Sequence, residues 1–234
     1  MATKQQQAQS TQVKNRSASQ GIFITGTDTD VGKTFVACCI ATTLIKQKYS
    51  IAPRKPIASG CIRQPDNTLL SEDALLLQQA CHSSEPLKVI CPYQFEPAIS
   101  PQRVIQEAGL NITIQDLKRT CETSNNNLIT LVEGAGGFYS PIALNGLNKD
   151  LAIQLSYPVV LVVANRIGCI NQTLLTIEAI QNSGLQLHSV IINKITSDSF
   201  YYAEGLEHYT KTPIFDVSYS ANKQPQPIKH WKLL

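Results

Sequence analysis

No stretch of the chain is apolar for the roughly 20 residues that a membrane-spanning helix needs. Charge is also scarce: Asp, Glu, Lys and Arg make up 16% of 234 residues, and the formal net charge is only +3. That excess equals Lys4, Lys14 and Arg16, which lie in a first twenty residues without a single acid. The remainder balances, so neither nucleic acid nor an anionic membrane is an expected partner. Internal repeats are absent. Seven cysteines are present, an odd number, and no pair has zinc-ligand spacing. With Cys38, Cys39 and Cys169 set inside apolar runs, reduced thiols in a reducing cytoplasm are expected.

Residues 1–20 contain six glutamines and no apolar run. This excludes a secretory signal there and predicts a disordered N-terminal extension. Residues 21–220 read as one folded domain, and 221–234 as a short polar C-terminal tail.

Within the domain, strand-like and helix-like segments alternate. Strands are expected at 21–25, 51–58 (interrupted by Pro53 and Pro56), 128–137, 157–165 and 187–194. Helices are expected at 34–47, 72–80, 114–123, 171–182 and 200–208. Near-continuous apolar strands separated by helices predict a mostly parallel α/β sheet with helices on both faces. Ligands of such sheets bind beyond the carboxyl ends of the strands.

The first strand runs into "GTDTDVGKT", Gly26 to Thr34. A glycine-bounded loop between strand and helix aims backbone N–H groups and a helix N-terminus at phosphate oxygens. Lysine adds charge and threonine reaches Mg²⁺, which makes this a P-loop, NTPase-like fold. The usual spacing places four residues between the first glycine and Gly-Lys-Thr, and here there are five. Thr29, Asp30, Val31, Gly32, Lys33, Thr34 and Phe35 are therefore candidate nucleotide-binding residues. Two acids in a loop that meets a polyanion make sense beside Mg²⁺ or an amine-bearing substrate.

"EGAGG" closes the strand at 128–137. Glu133 at a strand end opposite a phosphate loop is placed to hold Mg²⁺. Gly134, Ala135 and Gly136 let backbone approach a ligand closely. A turn with a solvated glutamate is the alternative, disfavoured by the tight surroundings that Val132 and Ala135 impose. In "RKPIASG", 54–60, Lys55 and Ser59 fall on the same rim. A lone lysine there would ordinarily be a solvated charge. Together with Lys33, Asp73 and Glu133 it suits phosphoryl transfer to an anionic acceptor.

These motifs occur in an order and spacing that resembles the dethiobiotin synthetase family: "GTDTDVGKT", "KPIASG", "SEDALLLQ", "SPQRVIQEAG", "VEGAGGFYSPI", "NRIGCINQTLLT" and "IINK". The resemblance covers about 21–219. It implies an ATP-dependent cyclo-ligase that joins 7,8-diaminononanoate and CO₂ through a carbamate and a carbamic-phosphoric mixed anhydride. It implies catalytic roles for Lys33 and Lys55, and Thr34, Asp73 and Glu133 as Mg²⁺ ligands. From the sequence alone, Asp73 would be an acid stabilised by a helix dipole. The resemblance further implies Asn193 and Lys194 at the adenine end, and Thr29 and Ser59 against the diamine. It places Gly168, Cys169, Ile170 and Asn171 on the diamine carboxylate across a homodimer interface. Cys169 is read as a backbone contributor rather than a nucleophile. At "FDVSYS", 215–220, the chain departs from the family's adenine-side loop.

Three other functions share parts of this pattern. A partitioning-type ATPase switch usually carries a further lysine at the start of its loop, where this chain has Thr27 and Asp28. A cobyrinate-type amidase needs a glutaminase domain, for which 234 residues leave no room. A nonenzymatic nucleotide-binding module does not account for both Lys55 and Glu133.

Overall fold

A computed structural model describes residues 21–233; the expected N-terminal extension lies outside them. Six strands form one parallel sheet: β1 (Gly21–Gly26), β2 (Ser50–Arg54), β3 (Leu128–Gly137), β4 (Val159–Ala164), β5 (Leu187–Asn193) and β6 (Ile214–Val217). Their order is β6-β5-β4-β1-β3-β2. Alternate residues of each strand serve opposite layers. On β4, Val160 and Val162 face one core while Leu161 and Val163 face the other. This is why the strand is apolar throughout rather than alternating. Pro53 is tolerated because β2 is an edge strand.

Helices α1 (Lys33–Lys46) and α2 (Glu72–Ala80) cover the first face, next to the short α3 (Leu87–Ile90). The second face is covered by α4 (Pro101–Glu107), α5 (Ile114–Cys121), α6 (Asn148–Leu155) and α7 (Cys169–Asn182). Among the described residues the first face has no helix of its own over β5, and residues 226–233 take that place. Ile228 and Trp231 are buried in the same core as Val160 and Ile191. The Trp231 indole donates to Ser189 Oγ at 3.1 Å, Ile228 N–H to Thr43 Oγ1 at 2.9 Å, and Gln47 Nε2 to the Trp231 carbonyl at 2.8 Å. The segment read as a polar tail is thus part of the core layer.

Several boundaries differ from the sequence reading. The strand expected over 51–58 ends at Arg54, and Ile57–Ala58 instead pairs with Tyr93–Gln94 outside the main sheet. Between them Lys55 N–H turns away to the Ile90 carbonyl. The helix expected at 200–208 is reduced to one 3₁₀ turn, Leu206–His208, entered through Gly205 at φ 84°. Asn165 holds the preceding stretch open by bonding the Phe200 carbonyl and the Tyr202 N–H. Residues 214–217 are the edge strand β6 rather than loop, and α4 and α6 were not anticipated. Among the described residues no helix is long and apolar enough to cross a membrane.

Candidate nucleotide and metal site

The loop after β1 enters α1 through Gly32, whose φ of 83° lies in the left-handed region. Lys33, at the first turn, is only 7% exposed, and its Nζ donates to the Asp28 carbonyl at 3.0 Å across the loop. Burial, then the neighbouring Lys55 charge, lowers its pKa to about 8. The lysine is therefore short of counter-charge as it stands.

Thr34, the next residue, reaches the acids. Its Oγ1 lies 2.8 Å from Asp73 Oδ1 and 2.9 Å from Glu133 Oε1. Asp73 is delivered by the first turn of α2, which Ser71 caps by accepting from Ala74 N–H at 3.2 Å. Glu133 comes from within β3 and is 1% exposed. Lys55 is 3% exposed, with Nζ 2.6 Å from Glu133 Oε1, 2.9 Å from Asp73 Oδ2 and 3.3 Å from the Gly134 carbonyl. Burial works against its charge, but Glu133 and Asp73 outweigh that and raise its pKa. Burial likewise opposes ionisation of Asp73, and Lys55 overrides it, so the Asp73 carboxyl titrates below its usual range. Two lysines and two carboxylates thus form a quartet at the head of the phosphate loop, with Lys33, Lys55 and Glu133 buried and Asp73 open to the cleft.

The donor set suits Mg²⁺. Glu133 Oε2 is buried without a hydrogen-bond partner, beside a second carboxylate and a threonine hydroxyl. A buried carboxylate oxygen left unpaired is costly, and a hard cation would satisfy it. Among the described residues no three His, Cys, Asp or Glu side chains come together as a metal-binding group.

A profile of the AAA domain family matches residues 20–217. The ATP-dependent dethiobiotin synthetase of Ruthia magnifica is 37% identical over 195 residues, covering 83% of this chain and 89% of that protein. The corresponding protein of Aeromonas salmonicida is 39% identical over 191 residues, with 80% and 84% covered. The chain belongs to the dethiobiotin synthetase family. Members of this family are ATP-dependent, ligase-type enzymes. Solved structures of the septum site-determining protein MinD share the fold alone. The Pyrococcus horikoshii protein with Mg-ADP gives a TM-score of 0.54 at 12% identity over 86% of this chain and 82% of that one. The Aquifex aeolicus MinC:MinD complex gives 0.52 at 16%, with 87% and 83% covered.

For a dethiobiotin synthetase, the candidate residues fall into three groups. A cleft of ≈ 230 Å³ brings together Thr29, Asp30, Gly32, Lys33 and Thr34 of the loop with Lys55, Ser59 and Asp73. Glu133, Ala135 and Gly136 close its other side. Asn193 and Val31 stand behind that cleft. Asn193 Nδ2 donates to the Val31 carbonyl at 3.0 Å, and its Oδ1 is buried without a partner. Lys194 turns its ammonium over the Tyr201 ring at 5.8 Å, and Phe35 packs into the core of the first face. The third group, Gly168 to Asn171, starts α7 and does not line the cleft within this chain. Cys169 N–H is already spent on the Arg166 carbonyl at 3.0 Å, and burial raises the Cys169 thiol. A thiol held that way is a poor nucleophile. Arg166 also pairs with Asp28 of the phosphate loop at 3.3 Å.

Two supporting residues carry no sequence signal. Arg54 is 2% exposed and grips Glu85 with two hydrogen bonds of 2.6 and 2.9 Å, one residue before Lys55. Asn148, fully buried, sits in "NGLNKD", which reads as an ordinary turn.

Proposed function

We propose that the chain makes dethiobiotin from 7,8-diaminononanoate, CO₂ and ATP, the penultimate step of biotin biosynthesis. The observation that carries this reading is the Lys33–Lys55–Asp73–Glu133 quartet at the phosphate loop of a synthetase-family chain. One amine of the substrate adds to CO₂, loses a proton and becomes a carbamate. A carbamate oxygen then attacks the γ-phosphorus, and the bond to ADP breaks. The second amine attacks the carbonyl carbon of the resulting mixed anhydride, phosphate departs with its oxygen, and a cyclic urea closes. Nothing in this sequence needs an enzyme nucleophile; it needs two anions held together.

The residues divide that task. The loop amides and Lys33 hold the polyphosphate, and its charge resolves the shortage of counter-charge at Lys33. Lys55, kept cationic by its two acids, stabilises charge between carbamate and γ-phosphate. Thr34, Asp73 and Glu133 would hold Mg²⁺, which would supply charge neutralisation to the phosphoryl group. The unpaired Oδ1 of Asn193 suits the amino group of adenine. Thr29 and Ser59 contact the diamine from the rim of the cleft. Gly168 to Asn171 serve its carboxylate from a second copy, so the enzyme works as a homodimer, and we place it in the cytoplasm. The test is phosphate release from ATP with bicarbonate, with and without the diamine. Release that ignores the diamine would point to the ATPase-switch alternative.

A further inference from the structure

The wall of the cleft opposite the phosphate loop is built by an irregularity in the sheet. Along the β1–β3 pair, Ile24 lies opposite Glu133 and Gly26 opposite Gly137. One residue of β1, Thr25, therefore faces three of β3: Gly134, Ala135 and Gly136. The surplus has to arch out of the sheet, as bulges beside active sites do. The outer side of this arch, Ala135 and Gly136, lines the cleft, and its foot, the Gly134 carbonyl, meets Lys55 Nζ.

The inner side of the arch is filled by one side chain. Asn148, from the first turn of α6, donates Nδ2 to the Gly137 carbonyl at 3.2 Å and towards Thr25 Oγ1 at 3.4 Å. Since the Gly137 carbonyl can only accept, the amide orientation is fixed. A Cβ on Gly134 would stand 2.5 Å from the Asn148 amide, so carboxamide and glycine backbone already touch. Asn148 Oδ1 is buried with no partner among the described residues. An unpaired acceptor in a core is an expense that packing alone does not explain. On the other flank Gly137 N–H donates to Ser140 Oγ at 2.8 Å, so the end of the arch is clamped from both sides.

We infer that Asn148 is a positioning residue for the reaction: it pegs the Gly134–Gly137 arch and thereby sets where Glu133, the Gly134 carbonyl and Lys55 stand relative to the acceptor. This rests on the synthetase reading above. Asn148 bonds to Thr25 and Gly137 and not to the phosphate loop or Lys33, so it acts on the metal and acceptor side of the site and not on the grip of the loop amides and Lys33 on the nucleotide.

The test uses the full chain with Asn148→Ala and, separately, Gly134→Ala, which must push the amide aside. In both, turnover of diamine-dependent phosphate release falls by about tenfold to a hundredfold, the scale set by a displacement near 1 Å at a reacting centre. The Kd of metal-free ADP, which the loop and Lys33 hold without Glu133, stays within about twofold by calorimetry, the usual scatter for independent sites. The Gly137 amide, followed by hydrogen exchange, becomes less protected. Unchanged turnover, or turnover and metal-free ADP affinity lost together, overturns the assignment. If either alanine variant does not fold, Asn148→Ser is put through the same three measurements. If the wild-type chain releases no phosphate in response to the diamine, the synthetase reading fails. Gly137 exchange and metal-free ADP affinity then still decide whether Asn148 pegs the arch, and unchanged Gly137 protection overturns it.

Discussion

Lys33 and Lys55 have the same chemistry and opposite electrostatic situations. Lys55 meets two carboxylates within 3 Å and stays charged well beyond neutral pH, whereas Lys33 donates to a carbonyl, and Glu133, Asp73 and Asp30 offset its burial and the Lys55 charge only in part. The folded-state pKa of Lys33, about 8 against an ordinary 10.5, means that the native chain binds fewer protons than the unfolded one between those values. Stability from this residue therefore rises with pH across that window. Nucleotide affinity runs the other way, because polyphosphate needs the ammonium. Above pH 8 binding should take up a proton, seen by calorimetry as a heat that depends on the ionisation enthalpy of the buffer. Equal heats in two such buffers at pH 9 would rule this out. Lys55→Met separates charge from bulk at the other lysine. ATP should still bind through Lys33 and the loop, while turnover drops by on the order of a hundredfold, as when one preorganised group is lost. Equal loss of ATP affinity and turnover would make Lys55 a nucleotide ligand instead.

Elements explain why some of the site was legible in the chain and some was not. The phosphate loop and "EGAGG" announce themselves because each is contiguous and sits at the end of an apolar strand, β1 and β3. The bounds of α2 and β3 also follow from local signals, a capping serine and a run that ends in glycines. Asn148 and Arg54 gave no signal, since their roles come from what the chain folds against them: a bulge in β3 and the Glu85 loop. The helix expected at 200–208 failed for the same reason, because Asn165 takes the Phe200 carbonyl that a first helical turn would use internally. A prediction at this scale concerns Ser71, whose hydroxyl caps the helix that delivers Asp73. Ser71→Ala should cost about 1 kcal/mol of stability. It should also raise the Mg²⁺ concentration needed for half-maximal activity, because Asp73 is no longer aimed. Loss of stability with an unmoved Mg²⁺ requirement would show that the cap is structural only.

At the scale of the whole molecule, the first face of the sheet over β5 is covered, among the described residues, by residues 226–233 in place of a helix. Composition hides this: "ANKQPQPIKHWKLL" is mostly polar, with its apolar contribution in a few side chains. Trp231 is 1% exposed, within reach of the His188 ring at 5.0 Å, and bonded to both β5 and α1. Those elements carry Asn193 and Lys33 at their other ends. Truncating a buried tryptophan costs about 3–5 kcal/mol, a large share of the 5–15 kcal/mol that typically separates folded from unfolded domains. For a domain of this size, about 2–4 °C per kcal/mol implies a fall in Tm on the order of 10 °C for Trp231→Ala. The same residue supplies the measurement, being the only tryptophan in the chain. If residues 226–233 are a layer of the core, Trp231 fluorescence and far-UV circular dichroism must trace one denaturant transition with a shared midpoint. An earlier fluorescence transition, with the helical signal intact, would mean that the segment detaches on its own. The sheet would then be stable without its last layer.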